Sequence, residues 1–364
     1  MNTYAEIDLN AIKHNIGQIR KLLAPATRYM AVVKANAYGH GAVAVSRAAV
    51  EAGADSLAVA NLKEALELRE AGIVSPILIL TESPTSVMDE IVQYDLSQTL
   101  YSFSEAKALS EEAAKRNKKA RVHVKIDTGM GRVGVQPSEA LAFITKIASL
   151  PALELEGVFT HFAKAEDPQD NFTKEQFQKF SQVISRIPNV AIKHSANSAA
   201  VLFHPETHLD MVRVGLMMYG LYPQGDGARR RVELKPALSF KSRVTYLKRI
   251  PAGTPLSYGC TYVAPADTAV ATIPVGYADG FSRRLSNRGQ VIIRGKRFKV
   301  VGRVTMDLTM VNIGDTDVAV GDEVILIGEQ NNQMISADEI AGLEDTISYE
   351  VVCGIGKRVP RIYK

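Results

Sequence analysis

Residues 29–52 read YMAVVKANAYGHGAVAVSRAAVEA, an apolar run followed by a glycine-containing loop and an amphipathic stretch. This pattern predicts a strand over Tyr29–Lys34 and a helix over Ala42–Ala52. The alternation recurs through the first two-thirds of the chain, with predicted strands at Tyr29–Lys34, Ser56–Ala60, Pro76–Leu80, Gln98–Leu100, Ala120–Asp127, Leu155–His161, Ala191–His194 and Asp210–Val214. Such units predict an α/β fold, a parallel (β/α)8 barrel of the TIM type with its helices outside. A doubly wound sheet is the alternative, but no glycine-rich dinucleotide fingerprint is evident, which favours the barrel.

The pattern changes near Leu234, where the helical periodicity nearly disappears. Further strands are predicted at Ala237–Ile250, Ala269–Val275, Gln290–Val304, Leu308–Ile313 and Glu323–Ile327. They predict a second, mostly antiparallel β domain. We therefore expect a barrel domain over residues 1–234 and a β domain over residues 235–364, joined at the charged segment Arg229–Pro236. The opening strand Tyr4–Leu9 precedes the first barrel unit and is a candidate to pair with the β domain.

Composition narrows the class of protein. The 364 residues are 46% hydrophobic and 23% charged with a net charge of +4, which is ordinary for a globular protein. The one dense basic run, Arg229–Arg231, has no interleaved aromatics, so we expect a solvated connector and no nucleic-acid site. Two cysteines, no signal-like segment at Met1–Ile12 and no long apolar span predict a cytoplasmic protein without disulfides or membrane contact.

Several unusual residues lie at the carboxyl ends of predicted barrel strands or in the loops that follow them. In α/β barrels the loops at the carboxyl ends of the strands carry the chemistry, so these residues are expected to converge at one mouth. They are Lys34, Arg132, His161, Asn197, Ser198, Arg213 and Gly215. Taken singly, Lys34 also fits a solvent-exposed strand end and His161 a structural histidine. Arg213 lies within an apolar strand, where a buried guanidinium needs partners.

The run VVKANAYGHG at residues 32–41 closely resembles the pyridoxal phosphate (PLP) attachment signature of bacterial alanine racemases. Further runs match the same family: KIDTGMGR (125–132), HSANS (194–198), VRVG (212–215), LSYG (256–259), VGYADG (275–280), VTMD (304–307) and SYE (348–350). The resemblance extends over essentially the whole chain. It implies a PLP-binding barrel followed by a β domain, acting as a homodimer on alanine and supplying D-alanine for peptidoglycan.

The resemblance also implies roles for individual residues. Lys34 would carry PLP and exchange the proton of D-alanine, while Tyr258 of the partner subunit would exchange that of L-alanine on the opposite face. One base on one face would tend to return the proton to where it came from, so racemisation needs two. The implied cofactor-binding residues are Lys34, Tyr38, His161, Asn197, Ser198, Arg213, Gly215, Leu216 and Tyr349. Arg132 and Met306 would bind the substrate, and no metal is expected. Lys125 matches a position that is often carbamylated in this family, where the carbamate would orient Arg132; an ordinary lysine paired with Asp127 or with solvent is the alternative.

Three other functions remain open on the sequence. A decarboxylase of basic amino acids needs a carboxylate near the PLP ring nitrogen, and Arg213 argues against it. A serine racemase or a racemase of broader specificity differs only in pocket residues that no motif fixes. A non-catalytic PLP-binding protein would generally lack the β domain.

Overall fold

The computed structural model describes residues 2–187, 189–223 and 228–364. After a first strand, β1 (Tyr4–Ile7), eight parallel strands close into a barrel, with each strand beside the next along the chain and the last beside the first. The barrel strands are β2 (Arg28–Val32), β3 (Ser56–Val59), β4 (Ile77–Ile79), β5 (Ser97–Leu100), β6 (Ala120–Lys125), β7 (Leu153–Phe159), β8 (Ile192–His194) and β9 (Met211–Val214). The predicted parallel barrel is confirmed.

Helices precede, connect and follow the barrel strands, and the longer ones bury one apolar face, as amphipathic helices do. They span Leu9–Arg20, Ala42–Glu51, Leu62–Glu70, Met88–Gln93, Phe103–Lys115, Pro137–Ala148, Phe172–Ile184, Ser198–Phe203 and Ala228–Arg231. Short 3-10 turns lie at Thr85–Val87, Pro205–Thr207 and Leu216–Tyr219. In Phe103–Lys115, for example, Ala106, Leu109 and Ala113 are buried at helical spacing. Among the described residues, no helix is long and apolar enough to cross a bilayer.

The rest of the chain is mostly antiparallel sheet, which confirms the second part of the predicted fold. Its strands are β10 (Leu238–Arg243), β11 (Tyr246–Ile250), β12 (Pro255–Leu256), β13 (Tyr262–Val263), β14 (Thr268–Ile273), β15 (Gln290–Ile293), β16 (Lys296–Val300), β17 (Thr309–Gly314), β18 (Glu323–Gln330), β19 (Gln333–Ile335) and β20 (Arg361–Tyr363). Helices span Ala337–Glu344 and Ser348–Cys353. The single strand predicted over Ala237–Ile250 is instead two strands, β10 and β11, which pair with different neighbours.

By its contacts the chain divides into two units, and neither is continuous in sequence. One unit is the barrel, Ala11–Ala37 with Ala42–Lys235. The other contains Pro236–Lys364, β1 with its flanking residues through Asn10, and the short segment Tyr38–Gly41. Within this second unit, β1 pairs antiparallel with β10 and parallel with β20.

The segment after Lys34 is a left-handed turn, which sequence patterns do not indicate. Ala35, Asn36, Ala37 and Tyr38 all have φ between 52° and 53°, although this conformation costs an L-residue about 1–2 kcal/mol. Hydrogen bonds hold the turn: the Ala35 N–H donates to Glu64 Oε1 at 2.8 Å, and Asn36 Oδ1 accepts from the Ala42 N–H at 2.9 Å. Backbone strain of this kind is concentrated at functional sites.

This conformation predicts an unusual response to glycine. Ala35→Gly removes the left-handed penalty at an exposed position, so we expect the thermal midpoint of the full-length chain to stay constant or rise. The control, Ala142→Gly, lies at an exposed position inside the helix Pro137–Ala148 and should destabilise the chain by about 1 kcal/mol. Equal losses in the two variants, measured by calorimetry, would show that the turn is not left-handed.

Candidate active site

Arg213 lies within β9 and is only 4% exposed. Its Nη2 donates to the carbonyl oxygens of Thr160 at 2.8 Å and Ser195 at 3.1 Å. Burial lowers the pKa of Arg213 to about 9, which still leaves the guanidinium charged at neutral pH. The buried arginine that the sequence singled out is therefore a cation held inside the barrel by acceptors from neighbouring strands.

Two histidines complete the surroundings of Arg213. Its Nη1 donates to Nδ1 of His194 at 3.0 Å, and its Nη2 donates to Nδ1 of His161 at 3.2 Å. Burial and then the charge of Arg213 lower the pKa of both histidines well below the usual value, so both rings are neutral. Since arginine can only donate, Nδ1 of each ring carries a lone pair and Nε2 carries the proton. His161 thus lies against Arg213, within hydrogen-bond distance.

Four cationic side chains lie at this end of the barrel. Lys34, Lys125 and Arg132, together with Arg213, all contribute to the lowered pKa of His161. Burial, followed by the charges of Arg132, Arg213 and Lys34, also lowers the pKa of Lys125 to about 8. Lys125 and Arg213 are buried, Lys34 is partly buried and Arg132 is exposed. An excess of positive charge that is partly removed from water is unfavourable unless an anion joins it. This end of the barrel is therefore suited to an anionic ligand.

The loop that carries Arg132 is shaped by one carboxylate. Asp127 Oδ1 accepts from the backbone N–H groups of Gly129 and Gly131, both at 3.0 Å. Gly129 and Gly131 have φ of 141° and 70°, values that favour glycine. The IDTGMGR run is thus a tight loop that presents Arg132.

The carboxyl ends of β8 and β9 meet around Ser198. The Gly215 N–H donates to Ser198 Oγ at 3.1 Å, and Asn197 Oδ1 caps the helix Ser198–Phe203 by accepting from the Ala200 N–H at 3.0 Å. Leu216 begins a single 3-10 turn directly after Gly215. Asn197 therefore shapes the backbone at this point, while the Ser198 hydroxyl and the N–H groups of the two turns form a cluster of potential phosphate donors.

Two further residues singled out by the sequence lie in the other unit. The rings of Tyr38 and Tyr349 lie 6.0 Å apart between centroids, and burial raises the pKa of the Tyr38 phenol above its usual value. A side chain at Gly39 would overlap the carbonyl of Val352, in the helix that carries Tyr349. The glycine after Tyr38 is therefore required by this close approach.

Tyr258 lies on a single turn at the tip of the β12–β13 hairpin and is 75% exposed. Leu256, the last residue of β12, belongs to an apolar cluster with Ile250 and Val270. The preceding Ser257 has φ of 63°, and its hydroxyl donates to the carbonyl of Arg303 at 2.8 Å. The hairpin thus projects Tyr258 into solvent from a fixed base.

Met306 is also exposed and lies on a rigid loop. The carbonyls of Thr305 and Met306 accept from the N–H groups of Tyr277 and Ala278, and a side chain at Gly276 would overlap both carbonyls. The VGYADG and VTMD motifs are therefore two halves of one backbone contact that fixes Met306.

Sequence reasoning missed Glu64 and gave no role to His194. Glu64 binds the backbone after two neighbouring strands, β2 and β3, with Oε1 on the Ala35 N–H and Oε2 on the Ala60 N–H. Asn61, three residues before it, caps the same helix, so an Asn-x-x-Glu helix start was the available signal. His194 stands within the HSANS motif, but nothing in the pattern shows that its ring points at Arg213.

Comparisons with known proteins agree with this architecture. Residues 7–223 match the family model for the alanine racemase N-terminal domain, and residues 237–363 match that for the C-terminal domain. The alanine racemase of Halothermothrix orenii is 48% identical over 367 residues, covering 100% of this chain and 97% of that protein.

Solved structures extend the likeness to three dimensions. An alanine racemase from Clostridium difficile 630 superimposes with a TM-score of 0.96 at 41% identity, covering 100% of this chain and 96% of that one. A histidine racemase from Leuconostoc mesenteroides has a TM-score of 0.91 at 28% identity, covering 100% and 98%. With both domains matched in order along nearly the full length, the chain belongs to the alanine racemase family of PLP-dependent isomerases.

Proposed function

We propose that the chain interconverts L- and D-alanine with PLP held at the carboxyl ends of the barrel strands, Lys34 and Tyr258 being the opposed proton-transfer groups. The observation that carries the site assignment is the set of cations around His161, which includes both Lys34 and Arg213. A supply of D-alanine for peptidoglycan in the cytoplasm is the cellular role that this family implies.

The residues present fit PLP on chemical grounds. PLP needs an amine for its aldehyde, donors for its phosphate and a partner for its ring nitrogen. Lys34 offers the amine. The Ser198 hydroxyl and the backbone N–H groups at Gly215 and Leu216 offer donors for the phosphate. By the family resemblance we also propose Tyr38 and Tyr349 as phosphate ligands. The surplus of positive charge among the described residues at the barrel mouth favours the phosphate dianion and the alanine carboxylate, for which Arg132 is suited.

Bound PLP would supply an electron sink for the charge left when the α-carbon of alanine loses its proton. Arg213 would determine how strong that sink is. Since a guanidinium donates and does not release its proton, the ring nitrogen facing it stays unprotonated. Less charge then moves into the ring, and misplaced protonation becomes rarer. His161 holds Arg213 in this role through the bond to its Nη2.

Lys34 Nζ and Tyr258 Oη would move the protons. In the direction from D-alanine, Lys34 Nζ takes the α-proton from one face, and Tyr258 Oη gives a proton to the other face. In the reverse direction, Tyr258 Oη would take the α-proton and Lys34 Nζ would give one. Positioned proton transfer of this kind contributes about 10²–10⁴-fold to the rate.

We assign Tyr258 to the site of a second copy of the chain. Tyr258 and Leu308 line one pocket of about 390 Å³ in the β unit. Both are exposed, as are Met306 and Val263. Exposed apolar residues of this size are typical of surfaces that bind a protein partner, and homodimers are the commonest assemblies. The proposed dimer would bring Tyr258 and Met306 to the partner's Lys34.

Mixing two inactive variants tests the shared site. Lys34→Ala and Tyr258→Phe each remove one proton-transfer group, so each homodimer should lose at least about 100-fold in alanine racemisation. A mixed dimer has one complete site if Tyr258 acts in the partner. After unfolding and refolding the two chains together, about a quarter of wild-type activity should return, because half the dimers are mixed and each has one good site.

The mixture distinguishes the two arrangements directly. If Tyr258 acts within its own chain, no combination of the two variants restores a complete site, and the mixture stays inactive. Refolding each variant alone is the matched control for recovery of the fold.

Lys125 is proposed to carry a carbamate. Its pKa of about 8 leaves a larger neutral fraction near neutral pH than an ordinary lysine has. The neutral Nζ would bond to the carbon of CO2 and release a proton, which converts a cation beside Arg132 into an anion that orients it. This change would also relieve the repulsion among the cations.

Carbon-13 NMR in labelled bicarbonate tests this modification. A carbamate signal is expected in the wild type, should grow as the pH rises through about 8 at constant dissolved CO2, and should be absent in Lys125→Ala. Lys63→Ala, at an exposed position, should keep the signal. An unmodified amine at Lys125 would contradict the proposal.

A racemase of broader specificity is the second candidate, because a histidine racemase shares this fold along its whole length. The two are separated by kcat/KM for alanine, serine, lysine and histidine. We expect alanine to be the preferred substrate, and an equal or greater value for another amino acid would favour the alternative.

A further inference from the structure

A continuous chain of hydrogen bonds crosses the interior of the barrel from Arg213. Beyond the bond from Arg213 Nη1 to His194 Nδ1, the Nε2 atom of His194 lies 2.9 Å from His123 Nδ1. His123 Nε2 lies 3.0 Å from Glu156 Oε2, which also accepts from the Ser97 hydroxyl at 3.0 Å. These residues come from five consecutive strands, β5 to β9. Barrel interiors are usually filled by branched apolar side chains, so this polar series is exceptional.

The hydrogen bonds of this series can point in one direction only, from Arg213 towards Glu156. Because Arg213 is a donor, His194 Nδ1 must accept, and its single proton lies on Nε2. That proton is donated to Nδ1 of His123, whose own proton must then lie on Nε2 and point at Glu156. A protonated His123 would set two N–H groups against each other across the 2.9 Å contact. The geometry thus gives each ring a defined donor nitrogen and a defined acceptor nitrogen.

Glu156 is the acceptor that closes the series. Although burial opposes its ionisation, the hydrogen bond from His123 keeps the pKa of Glu156 below its usual value. Glu156, His123 and Ser97 line a pocket of about 260 Å³ that also includes Arg28, the first residue of β2. The series thus ends near the amino ends of the strands, opposite the end that carries Lys34.

The surrounding packing is adapted to these rings. A side chain at Gly157 would overlap the His123 ring and lie 3.0 Å from the carbonyl oxygen of Ile192. The ring of Phe159 stacks on His194 at 4.8 Å between centroids and lies 5.2 Å below the Arg213 guanidinium. Both rings are thus held in place by shape as well as by hydrogen bonds.

From this geometry we infer that His123 and Glu156 are positioning residues for Arg213, acting through His194. By accepting the Nε2 proton of His194, His123 stabilises the tautomer that Arg213 requires, which keeps a lone pair aimed at Nη1 and so sets the plane of the guanidinium. The inference rests on the proposed function in one respect, that Arg213 faces the PLP ring nitrogen. Without the series, His194 is free to place its proton on Nδ1, where it repels Arg213, and the guanidinium turns away from the ring nitrogen.

His123→Phe in the full-length, PLP-loaded enzyme tests the inference. Nitrogen-15 NMR of ring-labelled histidine should show His194 as the Nε2–H tautomer in the wild type, and a mixture or the Nδ1–H tautomer in the variant. The PLP dissociation constant should rise about tenfold, and the visible band of the bound cofactor should shift, because a bond to a charged group is disturbed. We expect kcat to fall about tenfold and KM for alanine to change less than about twofold, since Arg213 would act on the cofactor.

His204→Phe is the matched control. His204 is as buried as His123, at 2%, and likewise lies beside a glutamate, Glu206, but among the described residues it is not hydrogen-bonded to Arg213. This variant should lose stability without changing the His194 tautomer or the cofactor band. If both variants change stability alone, the positioning role is refuted, while alanine racemisation by the wild type still supports the proposed function.

Substitutions at Glu156 provide a second, independent comparison at a partly exposed position. Glu156→Gln keeps an oxygen that accepts from His123 Nε2, so the tautomers and the cofactor band should be retained. Glu156→Leu removes the acceptor and should reproduce the spectroscopic changes of His123→Phe. Identical spectra in the two variants would overturn the inference, since the direction of the series would then not depend on its acceptor.

Discussion

A guanidinium buried inside the barrel is the constraint on which the rest of the proposed site depends. Moving a charge out of water costs several kcal/mol unless acceptors replace the lost hydration. Here two backbone carbonyls and the lone pairs of His161 and His194 replace it around Arg213. The two histidines can accept these hydrogen bonds only if each ring is neutral and carries its proton on Nε2. The charge therefore determines the state of its neighbours, and those neighbours in turn fix its orientation.

The backbone meets a second constraint near Lys34. The chain must leave β2, place one lysine at the barrel mouth and begin the helix Ala42–Glu51 within a few residues. A left-handed turn that begins at Ala35 makes this connection compact, and Glu64 accepts a hydrogen bond from the Ala35 N–H. The strain is local and is balanced by packing elsewhere, as is usual for functional segments.

The sequence predicted the barrel because its strand–helix alternation is regular, and it singled out Arg213 because a charged residue in an apolar strand is anomalous. It did not reveal the role of His123, and the reason is physical. In β6, Arg121, His123 and Lys125 alternate with Val122 and Val124, a pattern that normally indicates a polar face toward water. Inside a closed barrel the polar positions of such a strand can point inward, so periodicity alone does not identify the buried face. The placement of Tyr258 likewise depends on tertiary structure that spacing does not encode.

The segment Tyr38–Gly41 follows Lys34 directly in the chain yet packs within the β unit. Arg361 Nε donates to the carbonyl of Gly39 at 2.9 Å, and a side chain at Gly41 would overlap the ring of Tyr363. Both partners belong to β20, the edge strand of the sheet. A chimera that joins the barrel of one relative to the β domain of another near residue 236 would therefore combine the loop of one parent with the edge strand of the other. The loop after the lysine and β20 would therefore have to be exchanged together, although more than 300 residues separate them in the chain.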